Sequence, residues 1–291
     1  MFPTYPRKTT ALLAQALCAG ALTTVVATAP PAAAATSVPC SATALSTAIA
    51  NANTAGSGDL ALAPGCTYTL TTPLPDITAT LTINARAATL TRATSAPDFG
   101  ILVVRPGGSL TLSTATVSNG RAPDFGGGIA NRGGVLKVTG SIIRANHGNY
   151  SGGIGGSTGA TTTIQSSSIT GNSATVNGGG LANDGTMTIS GSSITGNTAG
   201  GVGGAVANDG TLTISGSSVA TNTANRAGGI ANVGGGTTKI TAGSVRGNTA
   251  ALAPGGILNT GGTVTLSVSV VASNTPTNCA GSDVPVTGCT G

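Results

Sequence analysis

The chain has 291 residues, of which only 7% are charged and 47 are glycine; it has no tryptophan and a formal charge of +5. Arg7 and Lys8 fall in a leader, so the remainder carries 5 − 2, about +3, too weak and scattered a charge to hold a phosphate backbone, and no nucleic-acid partner is expected. With three phenylalanines in the whole sequence, any core must be built from small and β-branched aliphatics.

Residues 1–35 read as a secretory signal. Arg7 and Lys8 supply a positive start, an Ala/Leu/Val-rich run follows to Ala29, and Ala33-Ala34-Ala35 gives an A-x-A cleavage site before Thr36. The apolar run is weak and ends in Pro30-Pro31, so no membrane span is expected after cleavage. A secreted, extracellular, monomeric product is the expectation. Residues 36–59 then read as an N-terminal cap. Within it, 41–55 is the one helical candidate: Ser41 can cap it, and Leu45, Ala48, Ile49 and Ala52 share a face. Leu60-Ala61-Leu62, Cys66-Thr67-Tyr68-Thr69-Leu70 and Leu81-Thr82-Ile83 follow as irregular first coils of a body spanning 60–275.

Across 103–274 one unit recurs seven times. Three apolar columns run down the copies. The first is Val103, Ile129, Ile154, Leu181, Val206, Ile230 and Ile257. The second is Leu112, Val138, Ile164, Ile189, Ile214, Ile240 and Leu266, and the third is Val117, Ile143, Ile169, Ile194, Val219, Val245 and Val271. A fixed period of this size is the signature of a solenoid, whose units bury their apolar faces by stacking. Runs such as Thr211-Leu212-Thr213-Ile214-Ser215 alternate with period 2 and are strands with one face inward. Glycine and asparagine punctuate them at corners. No copy holds the ten or more helical residues of a βα repeat, and serines occupy the slots where a leucine-rich repeat needs leucine. The fold class is therefore all-β, a parallel β-helix with one copy of about 25–26 residues per coil.

Two asparagine columns accompany the apolar ones. One is Asn131, Asn183, Asn208, Asn232 and Asn259; the other is Asn146, Asn172, Asn197, Asn222, Asn248 and Asn274. Stacked identical amides can hydrogen-bond along the rod while tolerating a left-handed corner, so both columns read as structural ladders.

The run Gly-Gly-[Ile/Leu/Val]-x-Asn, seen at 127–131, 179–183, 228–232 and 255–259, resembles the repeat of the polymorphic outer-membrane-protein family. More broadly the chain resembles bacterial secreted right-handed parallel β-helix proteins of pectin-lyase-like fold. Cys40-Ser41 with Leu45, Ala48 and Ile49 loosely resembles the segment that precedes such helices. The resemblance implies a right-handed coil. It leaves activity open, because that superfamily holds pectin-degrading enzymes, adhesins and scaffolds. The chain departs from the outer-membrane group in lacking an amphipathic barrel-forming C-terminus.

Pro276 stops the repeat, and residues 276–291 read as a C-terminal cap. Cleavage of the leader removes Cys18 and leaves Cys40, Cys66, Cys279 and Cys289, an even count that reads as two disulfides in an exported chain. Of three pairings, Cys40–Cys66 and Cys279–Cys289 are favoured, because each pair sits at one end of a rod tens of ångströms long. No metal motif or cofactor fingerprint appears.

Chemistry concentrates at one corner. Ala96-Pro97-Asp98-Phe99-Gly100 recurs as Ala122-Pro123-Asp124-Phe125-Gly126, and one coil later His147 and Tyr150 take matching offsets, with Arg121 and Arg144 nearby. Stacking is expected to set Asp98 over Asp124 and Phe99 over Phe125. Phe99, Arg121, Phe125 and Tyr150 are the ligand-binding candidates, since aromatic faces beside carboxylates suit carbohydrate. Asp98, Asp124, His147 and Arg144 are the catalytic candidates, and two close carboxylates would also admit Ca²⁺. The plainer reading has the phenylalanines plugging a corner under solvated polar groups. A second pair, Asp184 and Asp209, lies in Asn-Asp-Gly turns, with Arg132 two coils earlier. Short loops and only seven acidic residues argue against the walled cleft of an enzyme. The expected function is a non-catalytic extracellular scaffold with a polysaccharide or cell-surface glycan as partner. The alternative is a polysaccharide lyase or glycoside hydrolase.

Overall fold

A computed structural model describes residues 34–291, so the expected secretory signal of residues 1–35, apart from its last two residues, lies outside the described part. One coil shows how the chain turns. Strands Val206–Asn208, Thr211–Ser215, Ser218–Ala220 and Thr223–Arg226 follow one another with only a residue or two between most of them. Thr211–Ser215 alternates as its sequence requires, with Leu212 and Ile214 buried and the hydroxyls outward. Gly216 and Thr221 supply the next two corners at φ of 51° and 56°. Thr221 adopts the left-handed form without being glycine, because the coils above and below fix the corner. The ladder asparagines follow this left-handed residue rather than occupying it: Gly171 and Gly196 precede Asn172 and Asn197.

Each strand pairs in parallel with its counterpart one coil on, giving four sheets. We number them along the coil. Sheet I has ten strands (Thr211–Ser215 among them), sheet II nine (Ser218–Ala220), sheet III six (Thr223–Arg226) and sheet IV seven (Val206–Asn208). The chain is an all-β parallel β-solenoid of about nine turns with one short helix near its N-terminus.

The second and third apolar columns pair as read, Ile189 with Ile214 and Ile194 with Val219 among them. The first needs a correction at its start. Ile129 pairs with Leu102, not Val103, and Leu102 and Val104 are the buried residues of that strand. In an unbroken Leu102-Val103-Val104 run the alternation cannot be read from hydrophobicity, and Val104 takes the slot that Asn131 fills one coil later.

Both asparagine columns are buried, but the first forms a ladder only from Asn183 to Asn259, because Gly156 holds the slot between Asn131 and Asn183 and Asn131 bonds Thr162 instead. From Asn146 to Asn248 each amide Nδ2 donates to the Oδ1 of the next at 2.9–3.0 Å, and four backbone N–H groups share those oxygens. Asn248 continues the series to Asn274. A serine column that the sequence pattern left unread stacks likewise at the corner between sheets I and II. There the N–H groups of Ser141, Ser167 and Ser192 donate to the hydroxyls of Ser167, Ser192 and Ser217.

Two caps close the stack. Helix α1, Ala42–Ala55, starts at Ser41, whose side chain accepts from the Ala44 N–H, and ends at left-handed Gly56. It lays Leu45, Ile49 and Ala52 on the first coil, beside the Cys40–Cys66 disulfide. Strand Thr36–Val38 pairs with Leu60–Leu62, so sheet I begins ahead of the helix. At the other end Asn278 acts as one further rung, its Oδ1 accepting from Asn274 Nδ2 at 3.0 Å. Asn278 is itself held by the Thr290 carbonyl at 2.9 Å, in a loop that Cys279–Cys289 closes. Both expected disulfide pairings are present.

Candidate functional site

The third copy breaks the repeat where its neighbours read Ala-Asn: Ile154 is followed by Gly155-Gly156. Gly155 is the middle residue of a sheet IV strand and faces outward. The ring of Phe125, the last residue of strand Arg121–Phe125 in the coil before, lies over it so closely that a Cβ there would sit 2.6 Å from ring carbons. Tyr150, exposed, pairs with Phe125 across adjacent coils. The two aromatics border a hollow of about 340 Å³ whose other side is formed by Asp184 and Asp209, with Ala182 and Ala207 as its floor.

The register Asn183–Asn208 stacks the two carboxylates one coil apart, about 4.8 Å in the backbone. Partial burial, and after it the charge of Asp209, raises the Asp184 carboxyl above its ordinary value of 3.8. Asp124 sits beside the hollow and is committed elsewhere. Its carboxylate accepts from Arg132 Nη2 at 2.7 Å and from the Phe125 N–H at 2.7 Å. Burial alone would raise this group, but the Arg132 and backbone hydrogen bonds outweigh it and hold the carboxyl below 3.8.

Asp98 is in a different place. It pairs with Arg121 at 3.0 Å, and His147 stacks on Arg121 in the next coil. These side chains line a second, smaller hollow of about 160 Å³. The His147 Nδ1 lies 2.9 Å from Ser173 Oγ. Its burial and the Arg121 charge lower the imidazole below 6.5 and so favour the neutral ring, against a smaller opposite pull from Asp98.

The expected stacking of the two Ala-Pro-Asp-Phe-Gly segments is therefore corrected. The Phe99 carbonyl accepts from the Arg121 N–H at 2.8 Å, and Phe99 is a core residue, 7% exposed, that offers no face to a ligand. The cause is Arg92, a residue the sequence reading passed over. Its buried guanidinium donates to the carbonyls of Ala93, Ala96 and Asn119 and pins the first segment into turns while the second runs as a strand. Arg144 stands on sheet II in register with Ser118 and Thr170, away from the hollow that Phe125, Tyr150, Asp184 and Asp209 line. Of the residues singled out in the sequence, Phe125 and Tyr150 are brought together with the separately noted Asp184 and Asp209. Asn177 and Val233, which complete the lining, carried no sequence signal of their own.

Among the described residues no group of three or more His, Cys, Asp or Glu side chains could hold a metal ion. Asp184 and Asp209 alone fall short of the roughly six to eight oxygens that Ca²⁺ takes. No helix among those residues is long and apolar enough to cross a membrane, which says nothing of strands. No protein-family model, curated protein or solved structure matches the chain.

Proposed function

We propose that the chain is an exported, non-catalytic β-solenoid that binds extracellular glycan in the hollow over sheet IV. The observation that carries this reading is the pairing of aromatic faces, Phe125 and Tyr150, with hydrogen-bonding carboxylates, Asp184 and Asp209, in one shallow recess on a rigid rod. Aromatic faces cover the apolar side of a sugar ring while carboxylates accept from its hydroxyls. A recess of about 340 Å³ lies at the small end of ligand sites, which fits one or two sugars of a chain that continues along the surface. Two disulfides suit an oxidising compartment.

One observation favours a lyase or hydrolase as the second reading: two carboxylates, Asp184 and Asp209, stand one coil apart in the same recess, and burial and the neighbouring charge raise the Asp184 carboxyl, the kind of carboxylate pair such chemistry uses. Purified protein from Thr36 onward, incubated with a panel of polysaccharides, separates the two. Retention without new reducing or unsaturated ends, lost in Phe125→Ala and Tyr150→Ala, is the expected result. Product release abolished by Asp184→Asn establishes the enzyme instead, and a blank for both retention and release overturns the glycan reading.

A further inference from the structure

All seven acidic residues of the chain are aspartates, and their distribution is uneven. Asp76, Asp98, Asp124 and Asp283 are each in an ion pair with an arginine. Of the three that remain, Asp59 stands alone in the first coils, and Asp184 and Asp209 share the hollow. Among the described residues no lysine or arginine lines that hollow. The Arg132 guanidinium is taken by Asp124, the neighbour of Phe125. A chain that stays net positive beyond its leader thus places two of its three unpaired carboxylates in one recess, lined also by two aromatic rings.

We infer that the glycan held in this recess is one bearing protonated amines, a de-N-acetylated hexosamine polymer, with an ammonium group lodged between Asp184 and Asp209 on one side and Phe125 and Tyr150 on the other. The inference rests on the glycan reading above and names its ligand class. Aromatic faces attract a cation through their quadrupole, and most strongly where carboxylates stand beside it. A neutral sugar uses the rings but leaves two neighbouring carboxylates repelling each other, and an acidic sugar adds to that repulsion. An amino sugar relieves it. The hydroxyl-rich floor of an ordinary glycan lectin is absent here: Ala182 and Ala207 contribute only methyl groups, so selectivity falls to charge and rings.

The test is affinity electrophoresis of the full mature chain in gels carrying de-N-acetylated chitin, intact chitin, a neutral β-glucan, a uronic-acid polymer or polylysine, at mildly acid pH and low salt. The expected result is retardation by the amine polysaccharide about tenfold stronger than by its acetylated form. It should weaken with salt and vanish in the Asp184→Asn, Asp209→Asn double variant, whose side chains sit at an exposed corner and are not part of the core. Phe125→Ala should weaken retardation while the part that remains keeps its salt dependence. Equal retardation by neutral and amine polymers overturns the inference while leaving the glycan site standing. No retardation by any polysaccharide overturns both. Polylysine binding as tight as the amine polysaccharide shows a site for basic peptides and overturns the inference too.

Discussion

The two asparagine ladders were built from the same amide on the same rod, yet one is continuous and one is broken. The ladder from Asn146 to Asn274 runs without a gap and is handed on to Asn278 in the cap. The other runs unbroken only from Asn183 to Asn259. Its break is at Gly156, where the amide is missing, so Asn183 Oδ1 is buried with no donor, and Asn131 turns to Thr162 and the Thr161 carbonyl. The broken rung lies beside the recess. Gly155, next to it, is the glycine that lets the Phe125 ring lie against sheet IV. A repeat departs from its own rule where something other than stability has been selected.

The largest effect should come from the continuous ladder. Asn197→Ala removes the oxygen that accepts from both the N–H and the Nδ2 of Asn172, and a donor to Asn222 and the Ile169 carbonyl, all buried. Several orphaned groups at about 1–3 kcal/mol each give an expected loss of about 3 kcal/mol or more. Asn131→Ala, beyond the break, orphans less, and about 1 kcal/mol is expected. Urea unfolding of the two variants checks the comparison. Equal losses would mean that the ladder carries no cooperative advantage.

Gly155→Ala attacks the site rather than the stack. Its methyl meets the far edge of a ring that can swing away, so the stability cost is about 1–2 kcal/mol. The swing removes one wall of the recess. Glycan retention should fall about tenfold or more while the unfolding midpoint moves modestly. Retention that survives would show that Phe125 is a plug and not a contact.

The sequence made the stack legible because stacking is periodic. Each column position repeats its chemistry, so Ile189, Ile214 and Asn197 announce their partners by spacing alone. The site is aperiodic and was legible only in pieces. Phe125 and Tyr150 were marked as rare residues, and Asp184 and Asp209 as a stacked pair, but they belong to different corners of the coil. Only the fold of the chain over sheet IV brings the corners together. Phe99 misled for the same reason: a 26-residue repeat of Ala-Pro-Asp-Phe-Gly imitates the stacking period, while Arg92 bends the first copy away from it. Val103 misled because three apolar residues in a row carry no phase.

Repairing the broken ladder should be mildly favourable. A Cβ at Gly156 would stand 3.4 Å from Thr162 Oγ1 and 3.5 Å from Asn183 Oδ1, ordinary contacts, and its φ is not left-handed. The same arrangement already exists three coils on, where Asn232 accepts from Thr238 and from Asn208 together. Gly156→Asn should therefore give Asn183 its missing donor and raise stability by about 1 kcal/mol, read as a rise in Tm. Retention should be unaffected, since the new side chain points inward and Gly155 is untouched. A fall in Tm would show that Gly156 serves the backbone and not the recess.

The smallest effect concerns Asp184. Its carboxyl is raised above 3.8 in the folded chain, by burial first and by Asp209 second, so the native state keeps a proton that the unfolded chain gives up. The stabilising contribution is then present below pH about 4 and is lost as pH rises through the folded value. Asp184→Asn, which resembles the protonated form, should match the wild type in strongly acid solution and overtake it in Tm as pH approaches neutrality. Asp124 runs the other way, because its Arg132 pair lowers the carboxyl. Its contribution is present above pH about 4 and fades in acid, so Asp124→Asn should be the less stable protein at neutral pH and converge on the wild type below it. Thermal unfolding of both variants across that range sets the two aspartates against each other. Only an Asp184 left without a cation partner, beside an Asp124 already provided with one, gives opposite slopes.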